Sequence, residues 1–223
     1  EYDYSYGYQN WYPAAKFETK NTTENIGLFD LTPFSKFELK TETAQEELQR
    51  ICTANIKNEI GKSTYTQMLN ESGGIETDLT VMCLAKNHFR IVSASNVREH
   101  DKKHILRYLS KDVSFSDVTD KYNCFGIFGP KSRDLIANIC EENFSNENFK
   151  FGTGKYVNID SKNIWVQRLS FVGEVGFEFY VDNVDAKSFY KLIVKEGKKF
   201  NLSHCGMHAL DTMRMESGFL HWG

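Results

Sequence analysis

The chain has 223 residues, 40% apolar and 26% charged, enough to bury a sizeable core as one domain or as two small intimate ones. A net charge of -3 and a pI near 6.1 argue against a large nucleic-acid footprint, which leaves a basic face or stripe. No stretch approaches the roughly 20 unbroken apolar residues of a membrane span, and no basic-then-apolar leader opens the chain, so the cytosol, or the mitochondrial matrix in a eukaryote, is the simplest expected location.

Five cysteines, Cys52, Cys83, Cys124, Cys140 and Cys205, are odd in number and contain no C-x-x-C pair, so they read as reduced thiols, mostly in the core. The first residue is Glu1, not methionine, and the chain stops at Gly223 just after a helical pattern. Both ends read as cut.

In chain order, the first 15 residues are rich in aromatics, Tyr2, Tyr4, Tyr6, Tyr8, Trp11 and Tyr12, without a period, and suggest an irregular segment facing a ligand or an interface. Two-residue alternation then runs through 65–69, 75–84 and 88–94. The runs are separated by Glu71-Ser72-Gly73-Gly74 and Lys86-Asn87, which is turn chemistry, so an antiparallel meander is expected. Asn96 is placed to cap a helix to about 109 that carries Val97, His104, Ile105 and Leu109 near one face. A strand over 122–128 meets Gly129-Pro130, and proline at a first helical position suits a helix over 130–142. Strands follow at 154–159, 163–171 and 177–181, and helices at 184–198 and 206–217. Strands outnumber helices and come in hairpins, so the fold class is α+β, antiparallel sheets with flanking helices, rather than doubly wound.

Two acids stand out. Asp78 leads into the apolar-alternating Leu79-Thr80-Val81-Met82-Cys83, where a carboxylate is costly unless partnered. It reads either as a solvent-facing strand residue or turn cap, or as an acceptor of N–H donors from a ligand. Glu178 is the first acid on the strand returning from Gly173-Glu174-Val175-Gly176, whose glycines allow a tight turn with backbone close to a ligand. The alternative is an exposed hairpin acid.

Other chemistries find less support. His100 and His104 are four apart on a helix, but Lys102 and Lys103 between them would repel a cation and no third ligand follows, so a metal site is not expected. No Ser, His and Asp are arranged for nucleophilic catalysis. Gly126-Ile127-Phe128-Gly129-Pro130 is not a dinucleotide fingerprint, because Pro130 removes an N–H that a phosphate would use; FAD or NAD bound in the Rossmann manner is not expected.

Several strings, in order, resemble the glycine-cleavage T-protein family: Gly27-Leu28-Phe29-Asp30-Leu31, Gly61-Lys62-Ser63-Thr64-Tyr65, Asn70-Glu71-Ser72-Gly73-Gly74-Ile75-Glu76-Thr77-Asp78-Leu79, Gly129-Pro130-Lys131-Ser132 and Gly173-Glu174-Val175-Gly176-Phe177-Glu178, ending at Arg214-Met215-Glu216. Tyr4-Ser5-Tyr6-Gly7-Tyr8-Gln9-Asn10-Trp11 and the segment from Arg214 to Gly223 look like the folate domain fused behind the flavin domain of dimethylglycine and sarcosine dehydrogenases. The resemblance implies a T-protein-like folate-binding fold spanning residues 1–223 as the N-terminal part of a larger module, with a C-terminal barrel domain and an upstream flavin domain outside this chain. It implies tetrahydrofolate as cofactor, with FAD confined to the separate domain. By motif, the folate site maps onto Tyr65, Asp78 and Glu178, with neighbours Thr80, Ser93, Phe151 and Phe171. Asp78 would be the catalytic carboxylate near the reacting nitrogens of the pterin, helping as base or by orienting the amine, and Glu178 would accept hydrogen bonds from the pterin's amino and ring N–H groups.

The implied activity is capture of a one-carbon unit from a methylated amine as 5,10-methylenetetrahydrofolate. Departures from the T-protein pattern bear on it: Thr77-Asp78 where the family shows paired acids, Val92-Ser93-Ala94 for V-N-A, Ser170-Phe171-Val172-Gly173 for G-Y-T-G, and Ala209-Leu210-Asp211 for A-R-D. The lost arginine weakens the case for an aminomethyltransferase acting on a lipoyl carrier and favours the dehydrogenase-fused branch. A free-standing aminomethyltransferase and a non-catalytic regulatory module, as in the regulatory subunit of pyruvate dehydrogenase phosphatase, remain the alternatives.

Overall fold

The computed structural model describes residues 2–220 and 222; Glu1, and His221 and Gly223 of the C-terminal segment, lie outside the described residues. In chain order the elements are α1 (Tyr12–Glu24), β1 (Ile26–Asp30), β2 (Ser35–Lys40), α2 (Ala44–Ile51), β3 (Ser63–Leu69), β4 (Ile75–Ala85), β5 (His88–Ser93), α3 (Arg98–Tyr108), β6 (Ser114–Asp117), β7 (Tyr122–Phe128), α4 (Ser132–Ala137), β8 (Gly154–Ile159), β9 (Lys162–Gln167), β10 (Gly176–Asp182), α5 (Asn183–Gly197), β11 (Leu202–Cys205) and α6 (Met207–Glu216).

The strands form two sheets, ordered β11-β1-β7-β10-β9-β8 and β3-β4-β5-β2-β6. All pairings are antiparallel except β1 with β11. Strand alternation sorts their side chains into three cores. On one face of the first sheet, Phe125, Ile127, Val166, Phe177, Phe179 and Val181 pack with Leu135 and Ile136 of α4 and Phe189 and Ile193 of α5. On one face of the second, Phe37, Leu39, Leu79, Val81, Phe89 and Ile91 pack with Leu48 of α2 and Ile105 of α3. The remaining faces meet: Met82 and Leu84 of β4 pack with Phe29, Cys124, Phe128, Trp165 and Tyr180, beside Leu210 and Met213 of α6. Two sheets therefore face each other, each with helices on its outer side.

The turns follow from their residues. The β3–β4 connection is held by Asn70, whose Oδ1 accepts from the backbone N–H of Ser72 (3.0 Å) and Gly74 (2.9 Å), while Gly73 takes φ +81°. The β4–β5 turn uses Asn87 at φ 59°, a left-handed conformation that asparagine tolerates. Asp182 caps α5 by accepting from Val184 N–H at 3.2 Å, the side-chain cap expected of that residue type.

The meander, β7, β8, β10, α5 and α6 match the sequence-based expectations within two residues. Others differ. The helix expected over 130–142 is the short α4; Pro130 and Lys131 lie in the turn before it, and the chain beyond it runs irregularly while burying Cys140, Phe144 and Phe149. Asn96 does not cap α3; it sits in a 3-10 turn over Ser95–Val97, and Val97 is the cap position, without a side-chain bond. The helix buries Asp101 and Ile105. The aromatic N-terminus is irregular only to Trp11, because Pro13 in the first turn starts α1. All five cysteines are free and buried. Six elements, β1, β2, α2, β6, β11 and most of α1, have no counterpart among those expectations.

Candidate functional site

The register of β3 and β4 pairs Tyr65 with Thr80 and Gln67 with Asp78. These four share a face with Met82 and Leu84, so they point toward the other sheet, past the end of the inter-sheet core. The diagonal pair bonds: Tyr65 Oη donates to Asp78 Oδ2 at 2.7 Å. Tyr65 is 57% exposed, and partial burial together with the neighbouring carboxylate raises its phenol above the ordinary value, so it remains a donor at neutral pH. Asp78 Oδ1 takes no side-chain partner among the described residues.

Glu178 lies on the face of the first sheet that turns toward the second, the face of Tyr180 in the inter-sheet core. It lies on β10 between Gly126 of β7 and Gln167 of β9 and shares its face with Tyr180, whose Oη donates to Glu178 Oε2 at 2.7 Å. Burial raises the Glu178 carboxyl above the usual range, opposed by the Tyr180 bond and by Lys36. Two glycines shape its surroundings: a Cβ on Gly176 would meet the Phe128 ring at 2.2 Å, and one on Gly126 the same ring at 2.6 Å.

The expected neighbours divide. Phe171, half-buried, packs against the inter-sheet core and stacks on Phe219 with centroids 5.8 Å apart. Phe151 is 65% exposed on a turn tied to the start of β3, where Ser63 N–H and Oγ both donate to Gly152 O (2.9 and 3.0 Å). Thr80 joins Tyr65 and Asp78 through the register. Ser93 does not join them. It pairs with Leu79 and Ser35, and the two-residue period turns it to the opposite face, where it is 3% exposed and its Oγ has no partner.

Several charged groups between the sheets escape a reading of the sequence. Lys36 is fully buried, with Nζ donating to the carbonyls of Thr32 (2.9 Å) and Phe34 (2.8 Å), and burial lowers its pKa. Arg90, 1% exposed, donates Nε and Nη2 to Glu38 Oε1 (3.1 and 2.7 Å) and lies over the rings of Tyr122 (4.1 Å) and Tyr180 (5.3 Å). Glu38 also bonds His88 at 2.9 Å. Burial alone would raise its carboxyl, but His88 and Arg90 outweigh that and pull it to about 2. Lys36 and Glu38 alternate with Phe37 and Leu39, which in sequence reads as a strand with one solvated face. Only the second sheet makes that face interior.

His100 and His104 stack 6.5 Å apart, but His100 is engaged by Asp101 (3.0 Å) and Glu76 (3.1 Å). Among the described residues no group of three or more His, Cys, Asp or Glu is arranged to hold a metal. Two surface hollows lie elsewhere, one beside Cys140, Glu142 and Asp160, the other beside Asp30, Asn123, Tyr190 and His204. Neither contains an expected site residue. No helix is long and apolar enough to cross a membrane.

The family described as GCVT N-terminal domain matches residues 2–223. The chain belongs to that family. This GCVT domain is 37% identical, over 223 residues and all of its length, to 4-methylaminobutanoate oxidase (formaldehyde-forming) of Paenarthrobacter nicotinovorans, and 28% identical over 226 aligned residues, again all of its length, to mitochondrial dimethylglycine dehydrogenase of Rattus norvegicus. It spans 27% and 26% of those two proteins. The solved structure of glycine cleavage system aminomethyltransferase T from Bartonella henselae superposes with a TM-score of 0.82 at 21% identity, covering 99% of this chain and 60% of that one. The GCVT domain thus has the α+β, T-protein-like fold that its sequence strings imply.

Proposed function

We propose that this GCVT domain binds tetrahydrofolate in the gap between its two sheets and supports one-carbon transfer as part of a larger amine-oxidising flavoenzyme. The observation that carries the reading is a pair of carboxylates on the facing sides of opposite sheets, Asp78 held by Tyr65 at 2.7 Å and Glu178 held by Tyr180 at 2.7 Å. Each has one oxygen fixed by a phenol and the other left for a ligand. A 2-amino-4-oxo pterin offers adjacent N–H donors that Glu178 accepts in a fork. Bound tetrahydrofolate supplies the amine nitrogens that take up the one-carbon unit. Asp78, oriented by Tyr65, accepts at Oδ1 the proton that the attacking nitrogen sheds. Phe171 and Phe151 offer aromatic faces for the flat parts of the ligand.

The residues fit a folate and do not fit a flavin dinucleotide. Pro130 lies just beyond β7, and α4 has six residues, so the turn after β7 does not present N–H groups to a pyrophosphate as a Gly-rich turn into a full helix would. Kinship with the dehydrogenase of Rattus norvegicus, of which this chain spans 26%, supports placing FAD in a separate domain and this chain in the folate module. Kinship with two amine-acting proteins, each spanned only in part, supports a methylated amine as the source of the one-carbon unit and favours this branch over a free-standing aminomethyltransferase. The test is calorimetric titration of the intact protein with tetrahydrofolate, and of its Asp78→Asn and Glu178→Gln variants. Absence of binding by the wild-type protein would leave a non-catalytic regulatory module of the same fold as the better reading.

A further inference from the structure

One row of residues crosses four adjacent strands between the sheets: Gly126, Glu178, Gln167 and Gly154 are successive register partners on β7, β10, β9 and β8. Gln167 is 0% exposed. Trp165 Nε1 donates to its Oε1 at 3.3 Å, which fixes the amide so that the NH2 is the other end, and that Nε2 has no partner among the described residues. A buried NH2 without an acceptor is a cost that native interiors rarely leave standing. Beside it, Glu178 has Oε2 occupied by Tyr180 and Oε1 without a side-chain partner among the described residues. A buried unsatisfied donor and a carboxylate oxygen without a side-chain partner among the described residues thus belong to facing positions of one strand pair, where Cβ atoms are roughly 5 Å apart.

We propose that Gln167 is a specificity residue whose NH2 donates to the 4-oxo group of the bound pterin while Glu178 accepts its N3–H and 2-amino hydrogens. The inference rests on the folate reading above. The pyrimidine edge of a pterin presents donor, donor and acceptor in line, and a carboxylate beside a carboxamide NH2 is its complement. In the free chain the carboxamide rests above Gly154, where a Cβ would come within 2.3 Å of Oε1; binding draws it toward Glu178. A site that hydrogen-bonds a substituent discriminates strongly against an analogue presenting the wrong partner, because buried groups are then left unpaired.

The test titrates the intact protein with tetrahydrofolate and with its 4-amino-4-deoxy analogue, in which the acceptor at position 4 becomes a donor and N3 loses its hydrogen, so both the Gln167 and the Glu178 contacts are disturbed. The wild-type protein should favour the 4-oxo ligand by about tenfold or more, one hydrogen bond's worth of discrimination. Gln167→Met, apolar and of similar length, should lose affinity for the 4-oxo ligand selectively and narrow the preference by about tenfold, leaving the part that Glu178 sets through N3–H. Gln167→Leu should do the same, and serves if the Met variant does not fold. A preference unchanged in the variants, or an equal loss for both ligands, would make Gln167 a packing residue and overturn the inference while leaving the folate reading intact. Failure of the wild-type protein to bind tetrahydrofolate would overturn both.

Discussion

Tyr65 Oη and Asp78 Oδ2 meet at 2.7 Å as diagonal neighbours on paired strands, so the orientation of the acid is set by the β3–β4 register and not by a loop. Slipping that register by one residue would turn both side chains to the other face. The β3–β4 turn, pinned by Asn70 and Gly73, is therefore part of the site's construction although it touches no ligand.

Asp78→Asn keeps the shape and the Tyr65 contact while removing the charge. In the intact enzyme, methylenetetrahydrofolate formation should fall roughly 10²-fold or more if Asp78 accepts the proton, with amine oxidation by the flavin domain nearly unchanged. Comparing the two rates in one preparation checks this; a parallel fall of both, or of neither, would remove Asp78 from the chemistry.

Glu178→Gln should separate binding from stability. Burial raises this carboxyl above its ordinary value, so the folded state holds the proton more tightly than the unfolded one. Stability then declines as pH rises from the ordinary value through the raised one, and the cost persists at neutral pH. Removing the charge should leave the melting temperature at pH 7 equal or higher. Folate affinity should nonetheless weaken by about 1.5–3 kcal/mol, the range for a hydrogen bond to a charged group. A melting temperature that fell with affinity unchanged would mark Glu178 as structural.

Glu38 has the opposite linkage. His88 and Arg90 hold its folded carboxyl at about 2 against an ordinary 4.5, so its contribution is fully present above about pH 4.5 and is lost as pH falls toward 2. By the usual conversion that is of order 3 kcal/mol. Glu38→Gln should flatten the acid limb of the stability profile. It should also destabilise at neutral pH by about 3–5 kcal/mol, because Arg90 is left buried without its carboxylate. Urea denaturation at several pH values measures both, and parallel acid limbs for wild type and variant would contradict the linkage.

How far the sequence reaches depends on what each residue's neighbours are. Strands bounded by Gly-Gly and Lys-Asn turns, and the helix capped by Asp182, are written locally and were legible. β1 and β2 were not, because Lys36 and Glu38 mimic a solvated face and only the opposing sheet makes them interior. The site divides the same way. Alternation places Tyr65, Asp78 and Thr80 together once the register is known, and by the same rule sends Ser93 to the other face. Motif resemblance picked out Glu178, but Gln167 lies outside the strings that carry it, and its unpaired NH2 exists only in three dimensions. The 130–142 helix was over-read, since a proline compatible with a first turn says nothing about where the helix ends.

Tyr65 and Phe151 are 57% and 65% exposed, so the proposed ligand would meet solvent where β3 and the turn before β8 come together, and the chain spans 27% and 26% of the two relatives aligned over its full length. An open mouth leaves pterin and linker in water, where each polar contact gains less than in a closed site. Tetrahydrofolate should therefore bind the isolated chain more weakly than the intact protein, by at least the tenfold that one lost hydrogen bond to a charged group implies. Adding the downstream sequence should restore affinity, whereas adding the upstream domain should bring flavin absorbance and amine oxidation without tightening folate to the same degree. Equal affinity for isolated and intact protein would mean that the two sheets alone complete the site. Purification of the isolated chain with stoichiometric flavin would contradict the proposed division between folate and flavin domains.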